Sequence, residues 1–256
     1  MVSLLHFSRD GKLLLIDESG EGGGENYTTY LRATDGSPAI RLKEGEACDL
    51  TSDGKYSFNR LIGNPSKLFL LPTMGTPQEL AIGAVSPSCG SFLQGGHKII
   101  ITGQEPGHKR RIYLLDLDKG AAPKPVTPEG VTMKRGTQVT NDGKFVVAYD
   151  EHDQVGFYPV AVGAPEPIHG TQPGEEVVGI GSDGRTLFVS RRGDLPQRVF
   201  RLNSVTGQRH LWKEIGAADR AGVDSLYTLA VYQDGHSYTY GYARNLSDLY
   251  LFKGLQ

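Results

Sequence analysis

Short apolar segments alternate with polar turns along the whole chain. The turns contain Asp-Gly or Gly-Gly, and they are followed by runs such as "KLLLID", "HKIIIT" and "RTLFVS". Runs of this length, rich in β-branched residues and leucine, are typical of buried β-strands, and a turn glycine supplies the positive φ that a tight connection between two strands requires. The pattern therefore predicts a series of β-hairpins in an all-β fold.

The polar turn recurs at similar intervals. Its six versions are "SRDGK" from Ser8, "TSDGK" from Thr51, "LQGGHK" from Leu93, "TNDGK" from Thr140, "GSDGR" from Gly181 and "YQDGH" from Tyr232. The turn glycines, with Gly96 as the third, are 43, 42, 47, 41 and 51 residues apart. A period of this size is typical of the blades of a β-propeller.

Each repeat continues with an alternating third strand and, in most repeats, a fourth segment that begins with proline, as expected of an outer edge strand. We predict one domain over residues 1–256, a six-bladed β-propeller of four-stranded antiparallel blades. The blades are predicted at about 1–45, 46–86, 87–130, 131–174, 175–220 and 221–256. The last blade is predicted to be incomplete, because no fourth strand follows its third strand, "DLYLFKG" from Asp248.

The turns together with third strands such as "RIYLLDLD" resemble the WD40-like (PD40) repeats of TolB-like six-bladed propellers, over essentially the whole chain. The segments "LIDESGEGGGENYTTYLRATDGSPAIRL" from Leu15 and "YARNLSDLYLFKGLQ" from Tyr242 resemble parts of the propellers that follow a kinase domain and a membrane helix in acidobacterial-type serine/threonine protein kinases. The resemblance implies a bacterial sensor or scaffold module without catalytic activity. It also implies a place outside the cytoplasm if the chain belongs to such a kinase.

Charge and hydropathy narrow the range of partners. The formal net charge is −2 with both signs interspersed, which provides no basic surface for nucleic acid. No stretch approaches the roughly 20 apolar residues of a membrane helix, and the N-terminal residues lack a signal-peptide pattern. We expect a monomer that binds a protein, a peptide or a small polar ligand at a propeller mouth; the compartment stays open.

The two cysteines, Cys48 and Cys89, do not form a disulfide framework. Two free thiols are the simplest interpretation. A disulfide is the alternative, because both residues occupy similar places in neighbouring repeats.

The stretch "DESGEGGGENY" from Asp17 combines glycines with carboxylates. Asp17, Glu18, Glu21 and Glu25 are candidate calcium ligands, but their spacing is not that of an EF-hand loop. The following "YTTYLRA" reads as a strand, so no helix N-terminus is available for a phosphate. We favour a solvated hairpin loop and expect no cofactor, with calcium as the alternative.

Two short basic clusters, "KRR" and "RRGD", are the candidate binding residues on the surface. They contain Arg110 and Arg111, and Arg191 and Arg192. A solvated surface is the default for such clusters, and contact with a phosphate or an acidic peptide is the sharper alternative.

No local motif for catalysis is present: the chain has no "HRD" or "DFG" and no nucleophile elbow. The leading hypothesis is therefore a noncatalytic ligand-binding or protein-binding propeller. The alternative is a metal-dependent propeller hydrolase of the lactonase kind, whose ligands come from distant blades. That alternative predicts that carboxylates near Asp49, Glu175, Glu176 and Asp224 converge on the propeller axis.

Overall fold

The computed structural model describes residues 2–8, 11–20, 24–134 and 139–245, which form six antiparallel sheets. Within each sheet the strands follow chain order, so every connection is a hairpin. The strands of the first three sheets are β1 (Val2–Phe7), β2 (Leu13–Gly20), β3 (Gly24–Ala33) and β4 (Ile40–Glu44); β5 (Glu46–Leu50), β6 (Tyr56–Leu61), β7 (Lys67–Pro72) and β8 (Gln78–Glu79); and β9 (Ser86–Phe92), β10 (Lys98–Gln104), β11 (Arg111–Asp116) and β12 (Lys124–Pro125).

The remaining sheets have three, four and two strands. They consist of β13 (Phe145–Tyr149), β14 (Val155–Pro159) and β15 (Glu166–Pro167); β16 (Glu175–Ile180), β17 (Thr186–Arg191), β18 (Gln197–Asn203) and β19 (Arg209–Ile215); and β20 (Val223–Val231) with β21 (Tyr238–Arg244). In the three-stranded sheet, single bridges from Thr132 to Tyr149 and from Val139 to Val146 lie where an inner strand would pair.

The molecule is an all-β propeller, as predicted, but the number of blades differs from the prediction. The described residues form five blades of three or four strands, not six, because the sixth repeat contributes only the two-stranded sheet of β20 and β21. A hairpin turn marks a pair of strands, and a blade needs further strands to pair at its outer edge. The third strand predicted from Asp248 lies outside the described residues.

Apolar side chains fill the spaces between neighbouring sheets. One cluster joins β6 of the second sheet to β9 and β10 of the third, where the rings of Phe58 and Phe92 meet edge to face at 5.1 Å. Ile99, Ile100 and Ile101 of β10 are all fully buried, so both faces of this strand are covered, as the apolar run predicted. Strand β1 contacts β20 and β21, which brings the first and last sheets together.

The outer strands are short where proline occurs, which agrees with the prediction of edge strands. β8, β12 and β15 have two residues each, and proline lies beside or within each of them. Proline has no N–H to donate to a ladder, and a sheet tolerates this where no further strand follows. The described part of the chain contains no helix with the length and apolar character needed to cross a membrane.

Cys48 and Cys89 form a disulfide, so the interpretation as two free thiols is wrong. Their Cα atoms are 5.0 Å apart, and the bond joins β5 to β9, the inner strands of adjacent blades. Both residues lie at register shifts, where one residue of the inner strand has no partner on the next strand. The sequence shows that the two cysteines occupy similar positions in neighbouring repeats, but it does not give the distance between them in space.

Candidate functional site

The six Asp-Gly and Gly-Gly turns share one geometry. Each turn glycine has a φ between 67° and 74°, and its N–H donates to the carbonyl oxygen three residues earlier at between 2.8 and 3.0 Å. This φ is the left-handed region that glycine enters without steric cost. The turn glycines are Gly11, Gly54, Gly96, Gly143, Gly184 and Gly235. We call these six connections the turn ring.

Aspartate stabilises four of the turns by accepting hydrogen bonds from the turn itself. In the second blade, Asp53 Oδ1 accepts the hydroxyl of Thr51 at 2.7 Å and the N–H of Lys55 at 3.1 Å. In the fourth, Asp142 accepts equivalent bonds from Thr140 and Lys144. These bonds explain why the sequence repeats Asp-Gly rather than glycine alone. Asp183 and Asp234 accept backbone N–H bonds in the same way.

The double variant D53N/D142N is expected to lose less stability in acid than the natural chain. Hydrogen bonds, first those from the hydroxyls of Thr51 and Thr140, hold the pKa of the Asp53 and Asp142 carboxyls below the ordinary 3.8. A depressed pKa in the folded state contributes stability that is present above the unfolded pKa and is lost as the pH falls through the folded pKa.

Denaturant unfolding near neutral pH and at about pH 3 measures this contribution. The natural chain should lose more free energy of unfolding between the two conditions than the variant. Equal losses would show that the two turn carboxyls contribute nothing to the acid sensitivity.

The turns lie next to one another at one end of the sheets. The N–H of Ser182 in the fifth blade donates to the carbonyl oxygen of Gln233 in the sixth sheet at 3.1 Å. A Cβ on Gly96 would lie 3.0 Å from the methyl group of Thr51 in the preceding blade, and one on Gly143 would lie 3.4 Å from the backbone nitrogen of Gln94. Turn glycines are therefore required for φ, and Gly96 is also required for the close approach of the turn in the preceding blade.

A cavity of about 720 Å³ opens at this end, inside the turn ring. Its walls come from the last residues of the inner strands and from the turns of the second to sixth sheets. In each of these five turns, the second residue of the turn lines the cavity. These residues are Ser52, Gln94, Asn141, Ser182 and Gln233. We call this cavity the channel cavity and these five residues its polar rim. Hydroxyl and amide side chains both donate and accept hydrogen bonds.

Asp49 is the acidic residue in the wall below the rim. Its side chain is close to fully buried at 9% exposure, and Oδ2 accepts the N–H of Phe92 on the neighbouring inner strand at 2.7 Å. Oδ1 accepts the N–H of Leu50 at 2.8 Å. Two backbone donors hold the carboxylate in one orientation and link β5 to β9 beside the disulfide.

The predicted metal ligands do not form a site in the described residues. Asp17 lies on β2 and is 2% exposed, and Glu18 follows it on the same strand. Glu21 and the side chain of Glu25 lie outside what the structure describes. Strand pairing reaches Gly20 and Gly24, so the glycine-rich stretch is a hairpin connection. No group of three or more histidine, cysteine, aspartate or glutamate residues suited to a metal occurs in the described ranges.

The predicted binding arginines lie at the end of the sheets opposite the turn ring. The guanidinium of Arg110 donates to the hydroxyl of Ser88, and Arg111 Nη2 lies 2.6 Å from Glu105 Oε2. Arg191 Nη2 donates to the carbonyl oxygen of a loop proline at 3.1 Å, and Arg192 is exposed. The two pairs belong to the third and fifth blades, and the structure does not bring them together.

Of the acids that were predicted to converge on the axis, Asp49 is the one that lines the channel cavity. Glu175 binds Arg209 through both carboxylate oxygens, at 2.6 and 2.9 Å, and Asp224 accepts the side-chain amide of Asn245 at 2.5 Å. Glu176 lies on β16 and is not among the lining residues. The convergence that the hydrolase alternative requires is not found among the described residues.

The polar rim was not among the sites predicted from the sequence. The sequence does contain a sign of it, because the second residue of the five turns is always polar: Ser, Gln, Asn, Ser and Gln. The first turn has Arg9 at this position, outside the described residues. From the sequence alone, varied polar residues beside a repeated glycine indicate a turn and not a binding site. Only the ring arrangement shows that these positions face one space.

Known proteins with solved structures share this architecture. A putative TolB from Agrobacterium tumefaciens is 17% identical, with a TM-score of 0.67, and the match covers 96% of this chain and 91% of that one. The chain has a TolB-like β-propeller fold. TolB from Acinetobacter baumannii is 15% identical with a TM-score of 0.61, and the match covers 94% of this chain. This chain spans 63% of the length of that protein.

An enzyme shares the TolB-like fold as well. Oligogalacturonate lyase from Vibrio parahaemolyticus is 14% identical with a TM-score of 0.59, over 91% of this chain and 70% of the other. At such identities the likeness establishes the fold alone. No protein-family model matches the chain, and no curated protein matches it in sequence. None of these findings supports the resemblance to kinase propellers.

Proposed function

We propose that this TolB-like propeller is a noncatalytic binding module, a sensor or scaffold that takes a ligand or a segment of a partner protein in the channel cavity. The observation that carries the proposal is the cavity itself: about 720 Å³ of half-open space bordered by turns from five separate sheets. Sites for small ligands have volumes of about 300–1,000 Å³ and are lined by apolar walls with a few oriented polar groups.

The channel cavity has a volume in this range, but its lining is more polar than that of a typical small-ligand site, because more than half of its described residues are polar or charged. Apolar walls are formed by Phe92, Ile180 and Val231, and the polar rim supplies hydroxyl and amide groups above them. Each rim residue stands on a turn whose glycine φ and hydrogen bonds are defined, so the groups are held in place before a ligand arrives. A site that is ordered in advance loses less entropy on binding.

We further propose that the chain works in an oxidising compartment. The disulfide between Cys48 and Cys89 supports this placement, because disulfides form and persist in oxidising surroundings and are rare in the cytosol. From the sequence the compartment stayed open, and a place outside the cytoplasm was expected only if the chain belongs to a membrane-anchored kinase. The role as the sensor of a membrane-anchored kinase and the monomeric state stay predictions from the sequence.

Filling the mouth of the cavity should abolish binding. We would screen the purified chain for thermal stabilisation by a panel of defined tripeptides and monosaccharides. Ligands that stabilise the natural chain should not stabilise Ser182→Trp, whose indole would occupy the rim. They should still stabilise Val162→Trp, the matched control, because Val162 is fully exposed and does not line the cavity.

Two results would contradict the proposal. One is a ligand that stabilises Ser182→Trp as well as it stabilises the natural chain. The other is chemical conversion of any ligand by the purified chain, with or without added divalent metal, detected by mass spectrometry. The second result would favour an enzyme with this fold.

A further inference from the structure

Ser91 is a buried polar residue in the wall of the channel cavity that the fold itself does not use. It lies on β9, is 4% exposed and lines the cavity. Within the described ranges its hydroxyl makes no hydrogen bond. A buried hydroxyl without a partner is unfavourable, so proteins rarely keep one without a reason. A polar ligand in the cavity would supply the partner.

The other buried hydroxyls of the described lining are used by the turns. Thr51 Oγ1 donates to Asp53 Oδ1 at 2.7 Å, and Thr140 Oγ1 donates to Asp142 Oδ1 at the same distance. These two bonds hold the turns in shape and engage both hydroxyls. Among the described buried hydroxyls of the lining, that of Ser91 is the one that the protein leaves available to a ligand.

The strand around Ser91 is fixed before a ligand binds. Cys89, two residues earlier in β9, is crosslinked to β5 by the disulfide. Phe92, the next residue, donates its N–H to Asp49 Oδ2 at 2.7 Å, and Ser91 itself pairs with Ile100 of β10. The backbone that carries the hydroxyl is therefore restrained from both sides, which lowers the entropy lost on binding.

The side of the cavity formed by the fifth and sixth sheets is apolar. The position of Ser91, two residues before the turn, is Gly179 in the fifth blade and Ala230 in the sixth sheet. Ala230 lines the cavity together with Ile180 and Val231. A ligand that fits both sides needs hydroxyl or amide groups along one edge and an apolar face. A sugar ring has this character, because hydroxyls project from its edge and C–H groups cover its faces.

We propose that the channel cavity binds a neutral saccharide, one hydroxyl of which forms a hydrogen bond with Ser91. This proposal rests on the proposed function and specifies the chemistry of its ligand. An alcohol hydroxyl donates and accepts, as serine does, so the pair satisfies both groups without bringing a further charge out of water. The hydroxyl and amide groups of the polar rim offer the same kinds of bond to the remaining hydroxyls of the sugar.

Calorimetric titration of the purified chain tests the class of ligand. The neutral probes are glucose, galactose, N-acetylglucosamine, maltose and cellobiose, and the comparison probes are glucuronate, glucosamine and the tripeptides of the thermal screen. At least one neutral saccharide is expected to bind at millimolar concentration. It should bind at least about five-fold tighter than glucuronate and glucosamine, because a charged group would lose its hydration in the cavity.

Ser91→Ala removes the proposed contact, and Ser57→Ala is the matched control. Ser57 is 1% exposed, its hydroxyl has no partner among the described residues, and it does not line the cavity. Because neither hydroxyl is hydrogen-bonded, both variants should melt at or above the temperature of the natural chain. Ser91→Ala is expected to weaken binding of the best saccharide by about five-fold or more, and Ser57→Ala by less than about two-fold.

Monodeoxy analogues of the best saccharide identify the hydroxyl that meets Ser91. One analogue should bind the natural chain about five-fold or more weaker than the parent saccharide, yet the two should bind Ser91→Ala equally. If Ser91 only maintained the shape of the wall, the substitution would weaken the parent and every analogue to the same extent.

Unchanged binding to Ser91→Ala, or equal weakening by Ser91→Ala and Ser57→Ala, would overturn the proposal. Tighter binding of glucuronate or glucosamine than of every neutral saccharide, or no binding of any neutral saccharide at millimolar concentration, would also overturn it. A tripeptide whose binding Ser182→Trp abolishes, in a chain that binds no saccharide, would refute the ligand class and leave the proposed function standing.

Discussion

Removal of the Cys48–Cys89 disulfide is expected to lower the free energy of unfolding by about 4 kcal/mol. The bond closes a loop across a sequence separation of 41 residues, and the chain-entropy model assigns this cost to the freedom that the unfolded chain regains. Since single domains are stable by only about 5–15 kcal/mol, the loss is a large fraction of the total. Denaturant unfolding of C48A/C89A against the natural chain measures it.

The folded state should keep its architecture in this variant. Asp49 still accepts the N–H of Phe92 across the same two inner strands, and the apolar cluster around Phe58 still joins the second and third blades. The natural chain with reductant is the control and should unfold at a similar denaturant concentration to C48A/C89A. A variant as stable as the oxidised natural chain would show that the crosslink contributes nothing.

Gly90→Ala is expected to destabilise the protein by at least about 3 kcal/mol or to prevent folding. A Cβ at this position would lie 1.7 Å from the carbonyl oxygen of Ile100 and 2.7 Å from the Cα of Ile101. Both are backbone atoms of β10, the strand that pairs with β9 at this point. No side chain can move aside, so the two strands would have to separate.

Gly63→Ala is the matched control, because its Cβ would approach only the carbonyl oxygen of Pro65, at 3.4 Å. Neither glycine has a φ in the left-handed region. The control should therefore change the free energy of unfolding by less than about 1 kcal/mol, as measured by denaturant titration. If Gly90→Ala behaved like Gly63→Ala, the close pairing of β9 with β10 would not be required for stability.

Asp49 in the wall of the channel cavity and the crosslink belong to the same part of the molecule. Asp49 and Cys48 are adjacent in β5, and Phe92 and Cys89 both belong to β9. The crosslink thus restrains the two inner strands that form one wall of the channel cavity. Variants at the cysteines should be compared for binding as well as for stability, because a displaced wall would alter the orientation of Asp49.

Local chemistry explains what was predictable. Glycine after aspartate, followed by an apolar run such as that of β17, specifies a tight turn and a buried strand without reference to the rest of the chain. The six turns, the chain-order hairpins and the proline-rich outer edges followed from such patterns, and the structure confirms them. The ion pair between Arg111 and Glu105 could not be inferred from the sequence, because it depends on how the loop that carries Glu105 folds beside β11.

The sequence by itself determined the all-β class, the repeat and the geometry of each turn, because these depend on residues close together along the chain. The tertiary structure decided how many repeats complete a blade, that Cys48 meets Cys89, and that Asp49 faces the same space as Ser182. These features depend on distances between residues that are far apart in the chain. Such distances are set when the sheets pack around a common axis, and no local pattern encodes them.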